Sequence, residues 1–243
     1  MNIIIPLGGL GKRFADEGFK NPKPLIKIDE KPMILWAIES LGVSGRYIFI
    51  LRKSDGYEQI KSVLETNVKD CIIQEIDYLT EGPASTCLLA KEYVNNDEEL
   101  IIANCDQIMW WNGDYFIKSI RNSLYDGAIV TYYANTSKNS YARIDQSGNV
   151  VEIKEKEVIS NISLNGVHYW KRGKSFVSSA EAMISNNDRA INGEFYIGPS
   201  YNYMIKNNES VGIFHIPECQ HNAVGTPDDL REFLRKKKQS ESI

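Results

Sequence analysis

The tightest constraint on this chain is a strand that runs straight into a glycine loop. Ile3-Ile4-Ile5 is an apolar run of the kind that forms a short buried strand, and Leu7-Gly8-Gly9-Leu10-Gly11-Lys12-Arg13-Phe14 follows at once. The glycines let the backbone turn sharply and bring bare N–H groups close to a ligand. Such a loop after a strand suits phosphate oxygens, which accept from clustered N–H groups. Lys12, Arg13 and then Lys23, in Asn21-Pro22-Lys23-Pro24-Leu25, add three cations able to neutralise a triphosphate. Two familiar phosphate motifs do not fit. A P-loop needs Ser or Thr after its Gly-Lys, and Gly11-Lys12 is followed by Arg13. A dinucleotide fingerprint would place its third glycine where Phe14 stands.

What remains resembles the signature loop of the nucleotidyltransferases that make activated sugars and related nucleoside-diphosphate compounds. That family reads Gly-Gly-x-Gly-x-Arg, then Pro-Lys-Pro-Leu, then Lys-Pro-Met before a helix, and this chain carries each part, including Lys31-Pro32-Met33. The resemblance implies a Rossmann-like, glycosyltransferase-A-type α/β/α sandwich with a mixed, mainly parallel central sheet.

The 243 residues suffice for one large α/β domain, and a net charge of -4 gives no reason to expect nucleic acid. Cys71, Cys87, Cys105 and Cys219 form no Cys-x-x-Cys pair and read as buried thiols in a reducing compartment. No apolar stretch reaches transmembrane length and no charged leader precedes the first apolar run, so no membrane partner and a cytoplasmic location are expected. Whether the chain forms a homo-oligomer is left open.

Along the chain, strands alternate with helices up to residue 127. Strands are expected at 3–5, 47–51, 71–76 and 100–103, and helices from Pro32 to Leu41, over 57–64 and over 85–93. From 128 the texture changes to short strands at 128–133, 142–145, 150–154 and 164–170, then helices over 175–184 and 195–205 and a strand at 211–215. Thr226 reads as the N-cap of a terminal helix. The expected organisation is one domain over 1–243, with a nucleotide-binding half (1–127) and an acceptor-binding half (128–243). Lys236-Lys237-Lys238 reads as a solvated helix end rather than a nucleic-acid patch.

Asp106 stands out because it directly follows a buried strand, and open α/β sheets bind ligands at the carboxyl ends of parallel strands. A Mg²⁺ ion bridging phosphates needs only one or two carboxylates. The resemblance assigns that metal to Asp106, within Asn104-Cys105-Asp106. It gives the nucleotide to Leu7, Gly8, Gly9, Gly11, Lys12, Gly82, Ser85 and Asn104, and the transfer step to Arg13, Lys23, Asp106 and Lys156. Ser85 and Thr86 read equally as a helix-capping pair, and Lys156 equally as a surface cation. The acceptor residues implied are Asn165, Gly166 and Glu194, the last of which also reads as a helix start. Trp110 and Trp111 have two readings, acceptor wall or core.

The chain departs from the family in three places. Ala223 stands where many relatives carry a second metal Asp, with Asn222 beside it as a possible amide donor. Glu157 replaces the proline of Glu-Lys-Pro, and Asn165 sits one residue closer to its glycine. The implied substrates are a nucleoside triphosphate and a small phosphorylated acceptor. The overall layout looks most like the capsule-type cytidylyltransferases, with CTP as donor. Sugar-1-phosphate uridylyl or thymidylyl transfer and a non-catalytic nucleotide-binding subunit are the alternatives. A nicotinamide enzyme is disfavoured, because Arg52-Lys53 follows the second strand where a ribose-binding acid belongs.

Overall fold

The computed structural model describes residues 1–54 and 56–240. In chain order it contains β1 (Asn2–Leu7), α1 (Lys12–Asp16), the small hairpin β2 (Lys27–Ile28) and β3 (Lys31–Pro32), α2 (Met33–Leu41), β4 (Arg46–Arg52), α3 (Tyr57–Asn67) and β5 (Ile72–Ile76). Then come α4 (Pro83–Leu88), α5 (Lys91–Val94), β6 (Leu100–Ala103), β7 (Gln107–Met109), α6 (Gly113–Arg121), β8 (Gly127–Tyr133), β9 (Ser140–Ile144), β10 (Val150–Glu155) and β11 (Ile162–Trp170). The chain closes with α7 (Gly173–Ser185), α8 (Ile197–Lys206), β12 (Val211–His215), β13 (His221–Ala223) and α9 (Pro227–Ser240).

Among the described residues, nine strands build one mixed sheet. Its centre is parallel, β6-β1-β4-β5, while β11 lies antiparallel against β6 and carries β8, with β12 parallel beyond it. This is the α/β class the sequence implied. Strands from both halves of the chain share the sheet without a break.

Period-two alternation explains the layers, since successive strand side chains point to opposite faces. Ile4, Ile48, Ile50 and Ile102 enter a core completed by α4, α7 and α8. Their neighbours Ile3, Ile5, Phe49 and Ile101 enter the opposite core, completed by α2, α3 and α6. Each such buried side chain is worth roughly 1.5–3 kcal/mol of hydrophobic stabilisation. A third, smaller cluster joins Phe14 of α1, Ile108 of β7, Val224, and Leu230 and Phe233 of α9. It ties the glycine loop, the residues after β6 and the terminal helix into one unit.

Three expectations need correction, and the two readings of Trp110 and Trp111 are decided. The single helix expected over 85–93 is two short ones. Leu89 and Ala90 donate to Thr86 and Cys87, three residues back, so the turn tightens there. That tightening lets Ala84, Cys87, Ala90 and Val94 all bury completely. Helix α6 was not foreseen, although Asn112 caps it by accepting from the Tyr115 N–H at 2.8 Å and Phe116, Ile117 and Ile120 form its apolar stripe. Of the four free cysteines, Cys87 is fully buried, Cys71 and Cys105 are partly buried, and Cys219 is exposed. Trp110 and Trp111 do not wall the acceptor pocket. Trp111 donates to the carbonyls of Ser40 and Leu41 and stacks on Phe116, and Trp110 lies against Phe233.

Candidate active site

The parallel strands β1, β4 and β6 all end on the same edge of the sheet, so their C-terminal residues meet there. A cleft of about 1930 Å³ opens on that edge, lined by the glycine loop, Arg52, the turn at Thr80 to Pro83, Asn104 to Gln107, Lys156 and Glu194 among others. Its volume exceeds that of an ordinary small-ligand pocket and leaves room for two substrates.

At the foot of the cleft the glycine loop leaves β1 and turns into α1 through Gly11, whose φ of 62° is left-handed. The N–H groups of Gly9, Leu10 and Gly11 donate to no acceptor among the described residues. Arg13 is exposed, lines the cleft and likewise has no hydrogen bond or ion pair among the described residues. Lys23 and Asp106 are in direct contact as an ion pair, both mostly buried. Burial works against the Lys23 ammonium, but the Asp106 carboxylate more than offsets it, so Lys23 titrates above its ordinary value.

The Asp106 carboxylate has this room because residue 225 is glycine. A Cβ at Gly225 would stand 2.6 Å from Asp106 Oδ2. The strand pair β7–β13 and the bond from the Val224 N–H to the Asp106 carbonyl (2.9 Å) hold the two segments together. Cys105 beside them is no nucleophile: burial pushes its thiol up to about 11, which keeps it protonated at neutral pH.

At the other end of the cleft, β11 runs antiparallel to β6 and brings Asn165 and Gly166 next to Asn104. A Cβ at Gly166 would collide with the Asn104 amide. Asn165 is buried and spends its amide on the Val167 N–H (2.9 Å) and the Met109 sulfur (3.4 Å), holding the irregular part of β11. Lys156 Nζ donates to the Tyr196 hydroxyl at 2.7 Å, and that hydroxyl donates to Glu194 Oε2 at 2.7 Å. Asn192 donates to Glu194 at 2.7 Å as well. Glu155 accepts from Ser140 close by, and burial raises its carboxyl above the ordinary range with Glu194 adding to the rise. His221 stacks on Tyr132 at 4.1 Å, and burial lowers its pKa to about 4, so it is neutral at pH 7.

Of the residues singled out from the sequence, Leu7, Gly8, Gly9, Gly11, Arg13, Lys23, Gly82, Asn104, Asp106, Lys156, Asn165, Gly166 and Glu194 line this one cleft. Lys12 and Ser85 do not. Lys12 is exposed on the outer side of α1. The Ser85 Oγ is buried without a partner, and the hydroxyl that reaches the cleft is that of Thr86, bonded to Thr80 Oγ1 (2.6 Å) and the Gly82 carbonyl (3.0 Å). Helical rotation of one position separates the two. Asn222 is also turned away, buried and donating to the Ile108 carbonyl, whereas Ala223 lines the cleft. Sequence reasoning missed Tyr196, Glu155, Arg52 and His221. Tyr196 was within reach, since it shares the loop with Glu194; Arg52 carries no motif and is placed only by β4, from which it donates to the Gly8 carbonyl at 3.0 Å.

The profile of the nucleotidyl transferase family matches residues 2–239. The chain belongs to that family. It is 26% identical over 239 residues to the bifunctional protein GlmU of Thermoanaerobacter pseudethanolicus, covering 94% of this chain and 50% of that protein. The chain thus spans about half the length of this curated relative. Among solved structures, it superposes on the nucleoside-diphosphate-sugar pyrophosphorylase of Vibrio cholerae RC9 with a TM-score of 0.83 at 22% identity, covering 96% of this chain and 99% of the other. The inositol-1-phosphate CTP transferase of T. maritima matches with a TM-score of 0.75 at 16% identity, covering 97% and 95%. At these identities the structural matches show the shared fold alone.

Proposed function

We propose that this family member transfers a nucleoside monophosphate from a nucleoside triphosphate to a small phosphorylated acceptor and releases diphosphate. The observation that carries the reading is the Lys23–Asp106 pair at the foot of a glycine loop whose Gly9, Leu10 and Gly11 N–H groups have no acceptor among the described residues, with Arg13 likewise unpaired. An anion-binding loop, unpartnered donors and a carboxylate meet at one point.

The residues fit a Mg²⁺ ion that arrives with phosphates. Asp106 supplies one carboxylate at a strand end, the Lys23 ammonium already occupies it as a cation would, and Mg²⁺ needs only one or two carboxylates besides phosphate oxygens and water. Asp106 would hold the ion, and the ion would supply charge neutralisation at the α-phosphate. With Ala223 on the cleft wall and no cluster of three metal-ligating side chains among the described residues, a single protein carboxylate is the reading supported.

The chain's own groups account for the rest. An acceptor phosphate oxygen is ionised at neutral pH, its second pKa being about 6, so no general base is required. Arg13 and the loop N–H groups hold the leaving diphosphate, with the guanidinium spanning two oxygens. Lys23 exchanges the Asp106 carboxylate for the α-phosphate when the triphosphate enters. Lys156 meets the acceptor phosphate from the opposite wall. Catalysis is then in-line positioning plus charge neutralisation.

We read the donor as CTP. Guanine would need an acidic group opposite its ring N–H donors, and Glu81 turns away from the cleft to Arg189. The turn instead offers backbone and the Thr80–Thr86 hydroxyls, which suit a compact pyrimidine. The acceptor reading is a phosphorylated amino acid, with phosphoglutamine of the capsule pathways the suspected one, because Glu194 and Glu155 beside Lys156 suit a molecule carrying both charges. On this reading the chain resembles CTP:phosphoglutamine cytidylyltransferase and works in the cytoplasm, where nucleoside triphosphates are found. The test is a matrix of four nucleoside triphosphates against sugar 1-phosphates, phosphocholine and phosphorylated amino acids, scored by diphosphate release. Preference for CTP with a phosphorylated amino acid is the expected result. Preference for UTP or dTTP with glucose 1-phosphate would overturn the cytidylyl reading and leave nucleotidyl transfer standing.

A further inference from the structure

The turn that faces the nucleotide and the loop that carries Glu194 are separated by more than a hundred residues, yet they are fastened edge to edge. The Phe195 N–H donates to the Glu81 carbonyl at 2.8 Å, and the Ala84 N–H donates to the Phe195 carbonyl at 3.0 Å. Gly82 lies between them with φ 129°, and a Cβ there would stand 2.6 Å from both the Phe195 nitrogen and oxygen. Only glycine permits this approach. Each end of Phe195 adjoins an acceptor-side group, Glu194 before it and Tyr196 after it.

Arg189 closes the joint. Its Nη2 pairs with Glu81 Oε1 at 2.7 Å, Nη1 donates to the Gly193 carbonyl at 2.8 Å, and Nε donates to Asn187 Oδ1 at 2.6 Å. Its guanidinium carbon sits 4.1 Å from the centroid of the Phe195 ring. The planar fork therefore grips the acceptor loop at three points and the nucleotide turn at one. Glu81 is more than half exposed, and exposed ion pairs add little to stability. What four convergent contacts do supply is a fixed relative position.

We propose that Arg189 is a positioning residue that couples the two substrate sites: a nucleotide seated beside Gly82 orders the Glu81 turn, and the Arg189 and Phe195 bridges carry that order to Glu194 and Tyr196. The acceptor site is thereby set once the nucleotide is in place. This rests on the nucleotidyltransferase reading above.

Hydrogen–deuterium exchange of the intact chain tests it, with CTP, UTP, GTP or ATP added in the presence of Mg²⁺. In the parent, the nucleotide that protects the glycine loop (7–14) is expected also to slow exchange across 187–196 by about fivefold or more. Glu81→Ala removes the side-chain link to the nucleotide turn and leaves the Phe195 backbone bonds and the loop's own contacts in place. It should keep protection at 7–14 and lose most of it at 187–196, because the Arg189 fork no longer reaches the turn. Arg189→Met should do the same, and Arg189→Lys, which keeps the charge without the fork, should fall between. Protection at 7–14 with none at 187–196 in the parent overturns the coupling alone, as does an unchanged response at 187–196 in both Glu81→Ala and Arg189→Met. No protection at 7–14 by any of the four nucleotides overturns the nucleotide reading and the coupling with it.

Discussion

Arg13 and the loop N–H groups at the nucleotide end have no partner among the described residues, whereas Lys156, Tyr196, Glu194 and Asn192 at the acceptor end are bonded to one another. The first end is a set of donors held in place by the fold and left open for an anion. The second is a closed network, and an acceptor can enter only by exchanging those bonds for its own. Donors reserved for a ligand act on it at full strength, so removing one should cost much. Groups that already satisfy each other return less of their gross energy to binding, so removing one should cost less.

The sharpest way to break this contrast is at the Lys23–Asp106 pair of the nucleotide end. Asp106→Asn removes the carboxylate that holds Lys23 and would hold the metal. The residue lies at a strand end outside the cores, so the fold should stay intact by circular dichroism. Turnover measured by diphosphate release with Mg²⁺ is expected to fall by about a thousandfold or more. Parent-like turnover would remove Asp106 from the mechanism.

Arg13→Lys keeps the charge and loses the fork. Because Arg13 has no partner among the described residues and stands open to a ligand, kcat/KM for the nucleoside triphosphate is expected to drop by about ten- to a hundredfold. Kinetics equal to the parent would mark Arg13 as a surface cation. Tyr196→Phe opens the acceptor network by removing the hydroxyl between Lys156 and Glu194. Its expected signature is a rise of about three- to tenfold in acceptor KM with the nucleotide KM unchanged. A loss as large as that of Arg13→Lys would erase the proposed asymmetry.

The smallest effect is on stability. His168 lines the floor of the cleft, and burial lowers its pKa to about 3, against roughly 6.5 in an unfolded chain. Between those values the unfolded chain binds one proton more than the folded one. Stability from this group is therefore complete above pH 6.5 and falls as pH drops toward 3. His221, lowered to about 4, acts in the same direction. His168→Gln should flatten the fall in melting temperature between pH 7 and pH 4 without abolishing it. An unchanged slope would mean that His168 is not held neutral by burial.

The same asymmetry explains what the sequence made legible. The nucleotide end is local: strand, glycine loop, Arg13 and Lys23 lie within one short stretch, and Asp106 is marked by the buried strand before it. The acceptor end is assembled from β9, β10, β11 and the loop before α8, so its contacts depend on strand register, which single residues do not announce. Ser85 and Thr86 differ by one step of helical rotation, and an apolar pattern this short does not say which faces the cleft. Trp110 and Trp111 read as core or as pocket wall, and α6 and α9 decide for packing by supplying Phe116 and Phe233 as partners. Fold class was easier, because alternating apolar runs and caps such as Thr226, which accepts from the Asp229 N–H at 3.1 Å, report on backbone rather than on distant neighbours.

On the proposed reaction the chain breaks the bond between the α- and β-phosphates of a nucleoside triphosphate and passes the nucleoside monophosphate to the acceptor phosphate. CTP labelled in one preparation at the α-phosphate and in another at the γ-phosphate tests this directly, incubated with Mg²⁺ and the acceptor that releases most diphosphate. α-Label is expected in a new nucleoside-diphosphate-linked product, joined through a phosphoanhydride to the acceptor phosphate, and γ-label in diphosphate, in equal amounts. Release of γ-label as inorganic phosphate, with the α-label remaining in the nucleotide, would contradict it.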